Sequence, residues 1–165
     1  MIRPVGIKEL QIHLIANKTS QGTRQRTNQK MSYGARAAER LSGKTILITG
    51  ASAGIGEQTA LDYADAANGD IKLILTARRL EKLQDLQKAL EDKYPSLKVL
   101  SVQLDVSDVA AVTKFYEELP AEFKEVDILV NNAGKAQGLD KVGDIRQVDI
   151  ETMFQTNVIG LISLT

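Results

Sequence analysis

One stretch constrains this chain more than any other: residues 44–56, KTILITGASAGIG. A short apolar run rich in β-branched residues, ending in glycine, reads as a buried parallel strand. The residues after it change period: Ala60, Tyr63 and Ala64 fall on one side of a helix over 55–67. A strand that empties through a glycine-rich turn into a helix is a phosphate-binding arrangement. Gly50 permits the tight turn, Gly54 leaves the backbone bare for a diphosphate, and Gly56 lets the helix pack close to the sheet. The first helical N–H groups and about half a positive charge then face the ligand. Ile55, at the helix start, and the hydroxyl of Ser52 complete this set of candidate cofactor contacts.

The pattern repeats down the chain. IKLILTA from Ile71 is a second buried strand, and Leu83, Leu86 and Leu90 mark an amphipathic helix over 80–94 that Pro95 ends. LKVLSVQLDV is a third strand, with Ser107 expected to cap the next helix, which carries Val109, Val112, Phe115 and Leu119 and stops at Pro120. VDILVNNAG is a fourth strand running into a turn, and a last helix begins near Asp149. The order βαβαβαβ predicts an α/β fold: a Rossmann-type parallel sheet with helices on both faces and strand order 3-2-1-4. This domain is expected over 43–165, incomplete at its C-terminus and truncated before the later strands of such a sheet.

Residues 1–42 differ. Arg3, Lys8, Lys18, Arg24, Arg26 and Lys30 are answered up to Lys30 by one acid, Glu9. That is transit-peptide composition, but Pro4 and Gly6 oppose the helix such a peptide forms. A disordered extension ahead of Met31 is favoured, with a cytoplasmic protein as the expectation and a mitochondrial one as the alternative.

Charge and composition exclude several classes. Lys plus Arg and Asp plus Glu both number 21, so nothing draws the chain generally to nucleic acid or an anionic membrane. Without cysteine there is no disulfide, thiolate metal site or cysteine nucleophile, and the lone histidine, His13, has no acidic cluster beside it. No metal, nucleic-acid or membrane partner is expected; the partner is a small-molecule substrate.

Which dinucleotide binds is decided at the end of the second strand. An acid there would hold a ribose 2′-hydroxyl, about twenty residues beyond the last motif glycine. Ala77 occupies that position, and Arg78 and Arg79 follow. Alanine removes the charge that would repel a 2′-phosphate, and a guanidinium fork grips one. Arginine also sits badly at a helix N-terminus, so the pair reads as functional and the cofactor as NADP.

These motifs identify a family. TGASAGIG over 49–56, NNAG over 131–134 and TNVIG around Asn157 resemble, in order and spacing, the signatures of the short-chain dehydrogenase/reductases. The resemblance covers 41–165 and is greatest to fungal NADP-dependent 3-hydroxy acid dehydrogenases, which are similar to enzymes oxidising serine and allo-threonine. It implies that Asp105 meets the adenine amino group with Val106 beside it, and that Asn132, Ala133 and Gly134 line the adenosine-ribose side. It also implies that Asp127 braces the adenine pocket, and that Asn157 holds a water of the proton relay, the one catalytic assignment. Asn131 and Asn132 suit a turn as well. Homo-oligomers, often formed through the helix from Asp149, are usual in the family and doubtful for this chain.

The family's chemistry also uses a serine and a Tyr-x-x-x-Lys pair on a helix, which puts both side chains on one face. The one such spacing here is Tyr94 and Lys98, interrupted by Pro95 and ahead of NNAG, so it is not that pair. The chain is therefore expected to be a truncated form, an oxidoreductase by family and inactive or nearly so by itself. The alternatives are an inactive NADP-binding fragment or a regulatory pseudoenzyme.

Overall fold

The computed structural model describes residues 35–165, apart from 139 and 142. The basic extension up to residue 34 lies outside the described residues. Four parallel strands form one sheet in the order β3-β2-β1-β4: β1 (Thr45–Thr49), β2 (Lys72–Ala77), β3 (Lys98–Gln103) and β4 (Ile128–Val130). The expected order is thus observed. Register is set at the centre, where Ile46, Leu47 and Ile48 stand opposite Leu73, Ile74 and Leu75 on one side and Ile128, Leu129 and Val130 on the other.

The helices explain why β1 and β2 carry unbroken apolar runs at their centres, over residues 46–48 and 73–75. Ile46, Ile48, Leu73 and Leu75 pack under Ala60 and Ala64 of α2 (Gly54–Ala66) and Leu83, Leu86 and Leu90 of α3 (Leu80–Lys93). Leu47 and Ile74 turn the other way, against Val112 and Phe115 of α4 (Val109–Glu118) and Leu164 of α6 (Leu161–Leu164). Each residue of β1 is buried, so an alternating polar position has no place there. Burying each of these large aliphatic side chains contributes about 1.5–3 kcal/mol.

The end of the stretch read as a disordered or targeting-like extension over 1–42 is instead a short helix, α1 (Ala35–Leu41), and Leu41 packs against the core. After β4 the chain turns back through α5 (Gln147–Phe154), a π-helical turn over Gln155–Gly160, and α6. Backbone at Phe154, Gln155, Gly160 and Leu161 is right-handed helical, so the three pieces run on as one rod. Among the described residues no helix is long and apolar enough to cross a membrane.

In this strand order the chain leaves β1 toward β2 and β3, and β4 then pairs on the opposite side of β1. That reversal opens a crevice at the carboxyl ends of β1 and β4.

Candidate cofactor site

The crevice is a cavity of about 370 Å³. It brings together Gly50, Ser52, Arg78, Arg79, Asp105, Val106, Ala133 and Gly134 from the sequence-predicted set, and adds Lys135 and Thr156, which that set lacks.

Its floor is the turn after β1. Gly50 has φ +67°, and a Cβ there would lie 3.0 Å from the Ala133 Cα, so glycine is needed both for the bend and for the approach of the β4 turn. Gly54 has φ +62° and no atom within 4 Å of a built Cβ, so the space over it is open. Gly56 is buried instead, with an added Cβ only 2.6 Å from the Gly50 oxygen. Ala53, the N-cap of α2, offers no side-chain acceptor, so the first N–H groups of the helix receive no capping bond. Ile55 at the helix start is 79% exposed.

Arg78 and Arg79 follow β2 directly. Arg79 Nη2 donates to Ser52 Oγ at 3.2 Å, tying the second-strand arginines to the first-strand turn. Beyond β3, Asp105 Oδ1 accepts from both the N–H (3.0 Å) and the hydroxyl (2.6 Å) of Ser107. Burial pushes the Asp105 carboxyl up, but the two Ser107 bonds and the charges of Arg78 and Lys135 outweigh it and hold it below the usual carboxylate range. Ser107 is therefore not the cap of α4, as its place before the helix suggests. Asp108 is, with Oδ1 accepting from Ala111 N at 3.0 Å. The Ser107 hydroxyl is taken by Asp105, and Asp108 stands at the distance from which a carboxylate reaches the N3 amide.

Asn132 also departs from expectation. Its side chain turns away from the crevice and donates to the carbonyls of Thr49 (2.9 Å) and Gly50 (3.3 Å), stitching the two turns together. Thr49 completes the seam, its hydroxyl accepting from the backbone N–H of Asn132 (3.1 Å) and Ala133 (2.9 Å). Sequence reasoning weighed the glycines of this motif and passed over its first residue, Thr49, which the structure buries at 1% exposure. Asn131 Nδ2 donates to Thr165 Oγ1 at 3.4 Å.

Asn157 sits inside the π-helical turn. Its Oδ1 accepts from Lys135 N at 2.9 Å and its Nδ2 donates to Lys135 O at 2.8 Å. Gly160, one helical turn on, is where the rod meets the segment that follows β3: a Cβ there would be 2.5 Å from the Val106 oxygen.

Asp127 is a correction. It stands just before β4, at the opposite end of the strands from the crevice, accepting from Lys44 Nζ (2.6 Å) and Thr45 N (2.8 Å). Those bonds hold its carboxyl below the usual range. It braces the start of β1, and a strand's length separates it from the adenine side. Tyr94 and Lys98 are structural too: the Tyr94 hydroxyl donates to Asp65, and Lys98 opens β3 in an ion pair with Glu122 at 2.6 Å. Among the described residues no group of three or more His, Cys, Asp or Glu is placed to hold a metal.

The family model for short chain dehydrogenases matches residues 44–165. The chain belongs to that family. An NADP-dependent 3-hydroxy acid dehydrogenase of Schizosaccharomyces pombe is 50% identical over 126 residues, 76% of this chain and 48% of the relative. One from Salmonella typhi is 43% identical over 120 residues, 73% of this chain and 45% of the relative. The solved serine dehydrogenase of Escherichia coli superposes with a TM-score of 0.63 at 40% identity, over 73% of this chain and 52% of that one. The L-sorbose reductase of Gluconobacter frateurii, solved with NADPH and L-sorbose, gives 0.67 at 29% identity, over 75% and 45%. This short-chain dehydrogenase chain thus spans about half the length of the curated relatives it matches.

Proposed function

We propose that this chain binds NADP(H) and forms the cofactor half of a short-chain oxidoreductase acting on a small 3-hydroxy acid. The observation that carries the reading is the uncapped start of α2, with open space over Gly54, following a turn whose Ser52 and Ala53 line the crevice together with Arg78 and Arg79. Amide donors and open space suit a diphosphate. Two guanidinium groups where an acid would serve a bare ribose suit a 2′-phosphate. Asp105 and Val106, with Ala133 and Gly134, wall the adenosine side. The bound nicotinamide supplies the hydride acceptor or donor.

Asn157 fits a positioning part. Both polar atoms of its side chain are engaged by residue 135, so its contribution to a proton relay runs through the shape it gives the loop after β4. The 3-hydroxy acid class rests on the fungal and bacterial relatives of that activity. Self-association through the α5–α6 rod is supported by its exposed row of Phe154, Val158, Leu161 and Ile162.

Turnover is the test. NADP+ with serine, allo-threonine or another 3-hydroxy acid should yield NADPH in a preparation that contains this chain. A second reading is an NADP-binding module without turnover. Cofactor binding with no NADPH formed from any such substrate supports that module; no cofactor binding sinks both.

A further inference from the structure

Asp149 is the one charged residue buried among the described residues, at 1% exposure, and the cofactor reading gives it no part. It stands in the first turn of α5, where the helix dipole favours an acid. That accounts for its charge and not for its burial, because a carboxylate taken out of water is costly unless its oxygens are well bonded. Here Arg146 donates from Nε to Oδ2 at 2.8 Å and from Nη2 to Oδ1 at 3.0 Å. The third bond comes from outside the helix: Gln137 Nε2 donates to Oδ1 at 2.9 Å, reaching in from the loop that leaves β4. Gln137 is held a second time, its backbone N–H donating to Met153 Sδ at 3.3 Å. Gly138, with φ +78°, then lies against the same carboxylate residue: a Cβ there would stand 3.5 Å from the Asp149 Cβ.

Asp149, Met153 and Asn157 follow one another at four-residue spacing, the spacing of one helix face. Asn157 clamps both backbone groups of Lys135, and the other two hold Gln137. The loop over 135–138 therefore runs as a strap along the rod, from the π-helical turn to the start of α5. Its inner end is the crevice wall, where Gly134 and Lys135 line the cavity. We infer that Asp149 is a positioning residue for the cofactor crevice: by holding Gln137 it fixes the outer end of a strap whose inner end is the wall at Gly134 and Lys135. The inference rests on the NADP(H) reading and adds to it a residue outside the crevice lining. A carboxylate suits the task, since one oxygen takes Gln137 and Arg146 together while the other keeps Arg146 in place.

The test varies Gln137, an exposed residue whose replacement leaves the core filled. Calorimetry reads NADPH and NADH affinity of the folded 165-residue chain, with the melting temperature alongside. Gln137→Leu removes the donor to Asp149 and should weaken both cofactors severalfold. Gln137→Glu sets a second carboxylate against the buried one and should weaken both by about tenfold, the size of a charge-assisted hydrogen bond. Gln137→Lys supplies an N–H donor again and should recover most of what Gln137→Leu loses. That order of charge, equal for the two cofactors, is the signature of a strap held by an anion. Asp149→Asn sets an amide NH2 against the Arg146 guanidinium and should also weaken both cofactors; the Gln137 series decides if that variant folds poorly. A merely structural clip would lower the melting temperature and leave the affinity of the folded chain unchanged, which overturns the inference and leaves the NADP(H) reading intact. A loss confined to NADPH, or one that ignores the order of charge, overturns it as well. No binding by the folded wild-type chain removes the cofactor reading first, and the inference with it.

Discussion

The carboxamide of Asn157 closes a ring on residue 135: it accepts from Lys135 N at 2.9 Å and donates to Lys135 O at 2.8 Å. This couples the π-helical turn to the loop leaving β4, and so to the crevice wall at Ala133 and Gly134. Asn157→Asp keeps the acceptor but sets a carboxylate against the Lys135 carbonyl. Asn157→Ala loses both bonds. Each should lower stability by about 1–3 kcal/mol, or roughly 2–4 °C in melting temperature per kcal/mol for a domain of this size. Asp should be the worse of the two, which differential scanning calorimetry would show.

The glycines of the first turn should separate by mechanism. A Cβ on Gly56 meets Asn132 Nδ2 at 2.5 Å and the Gly50 oxygen at 2.6 Å. Gly56→Ala should therefore destabilise the cofactor-free chain by about 1–3 kcal/mol through overpacking. Gly54→Ala meets nothing within 4 Å and has only its φ of +62° against it, a cost of about 1–2 kcal/mol. Its main effect should fall on the ligand, because the new methyl group stands in that open space. Thermal melts with and without NADPH would distinguish them: Gly54→Ala should lose nearly all of the NADPH-induced shift while the cofactor-free chain stays folded.

Arg78→Glu should weaken NADPH by about a hundredfold, the loss of roughly two charge-assisted bonds, and NADH far less. Arg79→Ala should act more mildly, since part of its guanidinium is engaged by Ser52 at 3.2 Å. Isothermal titration with both cofactors measures this. Equal losses for NADPH and NADH would remove the arginines from the choice of cofactor.

Asp105 carries a pH prediction. Its folded carboxyl lies below the ordinary value, chiefly because the two Ser107 bonds overcome the effect of burial. A depressed carboxylate stabilises the fold above its unfolded pKa, and that contribution is lost as the pH falls through the folded value. Stability from this group should therefore persist through the mildly acidic range and decline only below the usual carboxylate titration. Ser107→Ala removes the hydroxyl donor and leaves the amide, so the acid limb should move to higher pH. Carboxyl NMR titration of Asp105 in both proteins checks the direction; a downward move in the variant would contradict it.

Much of this was legible in the sequence because strand and helix announce themselves by period. The apolar runs of β1 and β2 could only be buried on both faces, and the spacing of Leu83, Leu86 and Leu90 could only be one face of α3. The glycines and arginines of the crevice were legible for the same reason: their places are fixed by chain position relative to strand ends. What was not legible depends on which way a side chain turns. Asn132 turns onto the Thr49 and Gly50 carbonyls. Ser107 gives its hydroxyl to Asp105 and leaves the helix cap to Asp108. Asp127, read as part of the adenine pocket, lies before its strand rather than after it. Lys135 directly follows NNAG and Thr156 opens TNVIG, yet neither was singled out, since their relation to the crevice arises only when the loop after β4 meets the helix from Asp149.

The most direct measurement is NADPH titrated into the folded 165-residue chain, followed by calorimetry and thermal melting. The account predicts saturable binding, weaker binding of NADH, and at a hundredfold excess over the dissociation constant a stabilisation of about 2.7 kcal/mol. A chain that melts cooperatively and neither binds NADPH nor shifts its melting temperature would contradict it.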